Sequence, residues 1–219
     1  YEKKYALHLK LHLERIVSGF EISNYSFPFE VNELRGTITT ILSQNCCDLR
    51  LRLHVPFAHP EQCYIFAEEL PNYPECYFTN GVDLKTNKLE RNNPKAKLTN
   101  FIHKSLQEKE IIKTQGFEES IIVDSSGNLL EGLTSNFFGV IKNELYTADT
   151  NVLDGITRKI VLELAEDLQI KIIYEAVNIQ EIYQLSEAFI TSTSRNIMPV
   201  KRINDIQIGT NTPGPITTQ

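Results

Sequence analysis

The sequence predicts an α+β fold in two parts, a small one over residues 1–90 and a larger one over residues 91–219. Three observations support this. Apolar residues first recur at helical spacing, a strand with alternating apolar and polar residues follows, and beyond residue 97 turn signals come in close succession. The polar stretch 85–97, which contains Asn92-Asn93-Pro94, is the best linker between the parts.

Two amphipathic helices and one half-buried strand account for most of the first part. The helical spacing is carried by Leu9, Leu13, Ile16, Val17 and Phe20, and again by Val31, Leu34, Ile38, Ile41 and Leu42. Leucines then alternate with charged residues over 48–55, as they do in a strand with one face in the core. Short apolar runs at 63–66 and 76–78 predict two further strands.

Hairpins and one strong helix characterise the second part. A helix is predicted over 99–113, and Gly127 and Lys142-Asn143 mark the turns of two hairpins. Asp154-Gly155 then precedes an amphipathic helix. Its apolar positions are Ile156, Ile160, Val161, Leu164, Ala165 and Leu168. Further strands are predicted over 170–174, 188–191 and 198–203, and the last residues, 213–219, predict a turn and the start of a helix.

Composition and charge exclude several classes of protein. The net charge is −6 with a pI near 5.5, and without a run of lysines or arginines we expect neither nucleic acid nor a membrane as partner. No apolar stretch approaches the roughly 18 residues of a membrane helix. The four cysteines lack metal-site spacing and are too sparse for a disulfide scaffold, so we expect no metal and a cytoplasmic protein with reduced thiols. Because Tyr1 is not an initiator methionine, we expect both ends to be truncated.

Lys97 and Glu131 predict a bound pyridoxal 5'-phosphate. Chemistry with this cofactor needs a lysine amine that forms a Schiff base, an acid near the pyridine nitrogen, and contacts for the phosphate. Lys97 supplies the amine, and Glu131 follows it at the end of a hairpin strand. Considered singly, an exposed lysine and a solvated strand-end carboxylate are the more common interpretations.

Two segments could bind the phosphate. Ile156 and Thr157 begin the strong helix directly after Gly155, where unpaired backbone N–H groups and the helix dipole favour an anion. Ser192-Thr193 offers hydroxyls and amides after a predicted strand. The alternatives are a turn glycine with a capping threonine, and a polar loop.

Four ordered blocks of sequence resemble the class IV (fold-type IV) aminotransferases. This group contains the branched-chain and D-amino-acid aminotransferases and aminodeoxychorismate lyase. The blocks are HLER at 12–15, EGLTSNFF at 131–138, LDGITR at 153–158 and FITSTSRNIMPV at 189–200. Together they cover nearly the whole chain.

The resemblance implies a role for each matching residue. Lys97 would be the Schiff-base lysine and proton shuttle, Glu131 the partner of the pyridine nitrogen, and Leu153 an apolar contact on one face of the ring. Asn136 matches a supporting polar position. The phosphate would be held by Arg15, Ile156, Thr157, Ser192 and Thr193.

The resemblance also implies a fold and an activity. The fold would be that of D-amino-acid aminotransferase, with a small N-terminal α/β sandwich, whose first strands would precede Tyr1, and a larger C-terminal pseudo-barrel. The protein would be a homodimer that moves an amino group between an amino acid and a 2-keto acid. A lyase acting on aminodeoxychorismate and a non-catalytic relative are the alternatives, and the substrate stays open.

Overall fold

A computed structural model describes residues 5–89, 91 and 93–219. The chain divides into two compact units, Tyr1–Asn72 and Tyr73–Gln219. The division falls earlier than the predicted boundary after residue 90. The reason is that a strand over Val82–Asn87 hydrogen-bonds to two strands of the second unit, so residues predicted to begin a linker lie in its sheet.

The first unit contains two helices and a two-stranded sheet. Its elements are α1 (Leu9–Ile22), α2 (Val31–Ser43), β1 (Leu49–His54) and β2 (Tyr64–Glu69). The two strands are antiparallel, and Leu13, Leu34 and Ile38 form the buried centre of a core against which Leu51 and Leu53 pack. Both predicted helices and the alternating strand are confirmed.

The second unit begins with a short helix where the sequence predicted a strand. Residues 76–78 lie in α3 (Glu75–Thr79), so the strand prediction there is wrong. Pro74 precedes this helix, and its ring fixes a backbone angle that suits a helix start. The next elements are β3 (Val82–Asn87), α4 (Thr99–Thr114), β4 (Glu119–Val123) and β5 (Leu129–Gly132).

The rest of the second unit is mostly strand. In chain order it has β6 (Asn136–Ile141), β7 (Glu144–Tyr146), α5 (Ile156–Asp167), β8 (Ile172–Ile173), a 3-10 helix (Ile179–Gln184), β9 (Glu187–Ser192), β10 (Asn196–Ile203), β11 (Ile206–Gln207) and α6 (Pro215–Thr218). Both predicted hairpins and the helix at 156 are confirmed. The strand predicted over 170–174 is shorter than expected.

Six strands of the second unit form a closed ring. Following the hydrogen bonds, β3 pairs with β4, then β5, β6, β9 and β10 follow, and β10 pairs back with β3. The β10–β3 and β3–β4 pairs are parallel, whereas the other four are antiparallel. This barrel-like sheet is the larger domain that the sequence predicted.

The core of the second unit has two main layers. Apolar side chains from all six ring strands form one cluster, which includes Leu84, Ile121, Phe137 and Ile190. On the other side of β6 and β9, Phe138 and Phe189 stack on each other and pack against Val161 and Ala165 of α5. Alternate residues of one strand therefore serve both layers. In the described ranges no helix is long and apolar enough to cross a membrane, and no group of side chains there could hold a metal ion.

Ile190 tests the importance of the ring interior. It is fully buried on β9, the strand that joins β6 to β10. We expect Ile190→Ala to lower the free energy of unfolding by about 2–5 kcal/mol, because it leaves a cavity that the ring cannot close. Ile206→Ala on β11, where the side chain is 39% exposed, should change it by no more than about 0.5 kcal/mol. Urea unfolding of both variants measures the difference, and equal losses would contradict this account of the core.

Candidate active site

A buried carboxylate, that of Glu131 near the end of β5, lies at the centre of the candidate site. The residue is 2% exposed. Its Oε1 accepts a hydrogen bond from Nη1 of Arg91 at 2.6 Å, and its Oε2 accepts one from the backbone N–H of Leu153 at 2.9 Å. Nδ2 of Asn136 lies 3.3 Å from the same Oε2. Burial raises the pKa of Glu131, and Arg91 and the Leu153 amide oppose that rise.

Arg91 is a residue of the candidate site that the sequence interpretation missed. It forms a buried ion pair with Glu131, and its guanidinium lies over the ring of Phe101, 4.6 Å from the centroid. Nη2 also donates to the carbonyl oxygen of Ala96 at 3.3 Å. Because Arg91 lies within the predicted linker, no periodicity or turn motif distinguishes it from a surface residue.

The segment before α4 carries Lys97, which directly follows a residue that contacts Arg91. Ala96 is 1% exposed, and its carbonyl accepts the hydrogen bond from Arg91. Lys95 forms an exposed ion pair with Asp154 at 3.2 Å. The backbone of Lys97 therefore follows a fixed residue beside the Arg91–Glu131 pair, whereas the Lys97 side chain is exposed.

The start of α5 is held against the same carboxylate. Asn136 Nδ2 donates to the carbonyl oxygen of Leu153 at 2.8 Å, while the Leu153 amide donates to Glu131. A Cβ atom on Gly155 would lie 2.0 Å from Asn136 Oδ1, so only glycine permits this approach. Ile156 and Thr157 follow at once, and the first-turn amides of a helix have no acceptor within it.

The end of β9 lies beside Asn136 on the sheet. Thr191 is directly opposite Asn136 in the antiparallel β6–β9 pair, and directly opposite residues point to the same face. The Thr191 side chain is fully buried, and its hydroxyl has no hydrogen-bond partner among the described residues. Ser192, the last residue of β9, is half-buried, and Thr193, the first residue of the turn that leads to β10, is exposed.

The structure thus brings most of the predicted residues to one region of the second unit. Glu131 and Leu153 are linked by a direct hydrogen bond, α5 begins three residues after Leu153, and the end of β9 at Ser192 is linked to them through strand pairing. Arg15 is half-buried on α1, in the first unit, so its part in a phosphate site stays a prediction.

Similar proteins include enzymes and solved structures. The branched-chain-amino-acid aminotransferase of Pseudomonas aeruginosa is 24% identical over 235 residues, which cover 95% of this chain and 74% of that protein. The Escherichia coli branched-chain amino acid aminotransferase structure has a TM-score of 0.82 at 23% identity, with 96% of this chain and 76% of that one covered. The Thermoproteus uzoniensis branched-chain aminotransferase with norvaline has a TM-score of 0.81 at 25% identity and coverages of 96% and 75%. These structures share their fold with this chain.

One family description matches almost the whole sequence. The family described as amino-transferase class IV matches residues 1–203, which include every block that carries the resemblance. The chain belongs to the class IV aminotransferases.

Proposed function

We propose that this aminotransferase uses pyridoxal 5'-phosphate, held around Glu131, to move an amino group between a small amino acid and a 2-keto acid. The observation that carries the proposal is the carboxylate of Glu131, which is buried and oriented by three hydrogen-bond donors. When bound, the cofactor supplies an aldehyde that takes up the amino group and a ring that accepts electrons. A carboxylate beside the pyridine nitrogen favours the protonated ring, which accepts electrons best.

Two features of the described residues support the fit of such a cofactor. An ionised carboxylate has about four acceptor positions, and the three donors to Glu131 leave one for an N–H group. Thr191 contributes a buried hydroxyl that lacks a partner in the described ranges, and such groups usually bind water or a ligand. Both lie on the face of the sheet where Asn136 points.

Each predicted residue then has a proposed task. Glu131 would accept a hydrogen bond from the pyridine nitrogen, and Leu153 would pack on the ring. The first amides of α5, from Ile156 and Thr157, would bind phosphate oxygens. Ser192, Thr193 and Arg15 would provide the remaining contacts to the phosphate. Lys97 would bond to the cofactor through Nζ and carry a proton between substrate and cofactor carbons.

The amino donor is proposed from the relatives. The similar proteins named above act on branched-chain amino acids by their names, so we propose amino acids of that kind as donors. An apolar side chain on the donor would need an apolar pocket and no additional charged contact. The homodimer and the cytoplasmic location stay predictions from the sequence.

Lys97→Ala tests the chemistry. We expect the purified protein to absorb visible light when loaded with pyridoxal 5'-phosphate and to form more than one equivalent of keto acid from leucine only when a 2-keto acid acceptor is present. Lys97→Ala should lose both, because no other amine takes its place. Lys104→Ala, which removes an exposed lysine from α4, serves as the control and should lose neither. Repeated release of pyruvate from aminodeoxychorismate without an acceptor would favour the lyase, and full activity of Lys97→Ala would refute the assignment.

Arg91→Met tests the role of Glu131 through pH. Cofactor binding through an ionised Glu131 is present above the pKa of this carboxyl and lost as the pH falls through it. Because burial raises that pKa above 4.5, and Arg91 opposes the rise, Arg91→Met should raise it further. We therefore expect the loss of affinity for pyridoxamine 5'-phosphate on acidification, measured by fluorescence, to have its midpoint at a higher pH in the variant than in the wild type.

Two further variants control for other effects of that change. Glu131→Gln should bind weakly without this pH dependence, because it has no carboxyl to titrate. Arg50→Met, which breaks the Arg50–Glu68 pair of the first unit, should leave the pH profile as in the wild type. An unchanged midpoint in Arg91→Met would contradict the proposal.

Thr191→Val tests whether the buried hydroxyl meets the cofactor. The valine has the same shape, so we expect the melting temperature without cofactor to be equal or higher, because an unpaired buried hydroxyl is removed. The affinity for pyridoxal 5'-phosphate should fall about tenfold, the effect of one hydrogen bond to a charged group. Thr191→Ser should retain it. Equal affinities of the valine variant and the wild type would exclude the contact.

A further inference from the structure

A second buried ion pair lies in the same unit, apart from Glu131. Glu119, at the start of β4, is fully buried, and its Oε2 accepts a hydrogen bond from Arg195 Nη1 at 2.7 Å and another from Thr134 Oγ1 at 2.6 Å. The backbone N–H of Ser120 lies 3.2 Å from its Oε1. Burial alone would raise the pKa of Glu119, but Arg195 and Lys109 hold it below its ordinary value, so the carboxylate is ionised.

Arg195 uses all three nitrogens of its guanidinium in this cluster. Its side chain is 3% exposed, Nη2 donates to Thr134 Oγ1, and Nε donates to the hydroxyl of Tyr73 at 3.3 Å. A guanidinium offers its donors in a fixed planar fork, so three partners in three directions fix its position. A lysine at this place would keep the charge and lose the fork.

The partners of Arg195 connect two turns that matter to the proposed site. Thr134 lies in the turn between β5 and β6, with Glu131 on one side and Asn136 on the other. Arg195 itself ends the turn between β9 and β10, which begins at Thr193 directly after Ser192. The first turn therefore joins the strand of Glu131, proposed to contact the ring, to the strand of Asn136. The second turn contains Thr193 and follows Ser192, both proposed to contact the phosphate.

We propose that Arg195 is a positioning residue, which holds the β5–β6 turn and the β9–β10 turn at a fixed separation through Glu119 and Thr134. The consequence of this positioning rests on the proposed function: the separation of the two turns determines how well the cofactor ring and its phosphate can be bound at the same time. Arg195 touches neither group. With its donors occupied, it acts through Thr134 and through the backbone of its own turn.

The ordinary alternative is that the ion pair only stabilises the fold. Removing one partner of a buried pair leaves an uncompensated charge and is strongly destabilising, whereas replacing both is often tolerated. The double variant Glu119→Gln with Arg195→Met therefore separates stability from positioning. Arg202→Met is a matched control, because Arg202 is also on the β10 side of the turn and pairs with a carboxylate, Asp83, but is half exposed.

Hydrogen exchange of the whole chain without cofactor tests the positioning itself. In the double variant we expect amides of residues 133–135 and 192–195 to exchange about tenfold faster together, while those of α5 keep their wild-type rates. Arg202→Met should change neither turn. Unchanged exchange in the turns, or a change in only one of them, would overturn the proposal, whether or not the protein binds the cofactor.

Cofactor binding tests the consequence. We expect the double variant to bind pyridoxal 5'-phosphate about tenfold more weakly than wild type, and to bind pyridoxal, which has no phosphate, with an affinity changed less than about twofold. Arg195→Lys should bind pyridoxal 5'-phosphate with an affinity between those of the wild type and the double variant. Wild-type affinity for pyridoxal 5'-phosphate in a folded double variant would overturn the inference. A wild-type protein that binds no cofactor would instead refute the proposed function. The hydrogen-exchange result would still test whether Arg195 positions the two turns.

Discussion

The pairing of β6 with β9 is the contact on which the second unit depends. It runs from Asn136 opposite Thr191 to Val140 opposite Glu187, and it joins two segments that are far apart in the sequence. Without it the ring of six strands would open, Phe138 and Phe189 would lose their stacking, and α5 would lose the surface on which it packs. The same pairing brings the turn after β9 next to Asn136, so one strand pairing supports both the fold and the candidate site.

Two buried carboxylates show how this unit accommodates charge. Glu131 and Glu119 are each paired with an arginine from a distant part of the chain, and each also accepts hydrogen bonds from neighbouring groups. Burying a charge without such partners is very unfavourable. The two differ in pKa, because burial raises the pKa of Glu131, whereas Arg195 and Lys109 lower that of Glu119. A carboxylate that is not fully compensated is the one suited to receive another hydrogen-bond donor.

Local patterns in the sequence predicted the four long helices and both hairpins. Regular spacing identified α1, α2 and α5, and the structure brings Glu131 and Leu153, from two of the four blocks, into direct contact. The predicted linker includes residues 85–87 of β3, because the pairing of this strand with β10 leaves no local signal in the sequence. The sequence predicted no role for Arg91 or Arg195 for the same reason. Each is distinguished by an ion pair with a carboxylate distant in the chain, and a single sequence carries no signal of that contact.

The closed ring also has a consequence for how the chain is made. Thr86 on β3 is hydrogen-bonded to Asn204, 118 residues further on, and β3 lies between β4 and β10. During synthesis from the amino end, β3 and β4 therefore emerge long before the strand that covers the free edge of β3. An exposed strand edge invites pairing with other chains. The second unit can complete its fold only after β10 has left the ribosome, so its early strands depend on the last part of the chain for protection.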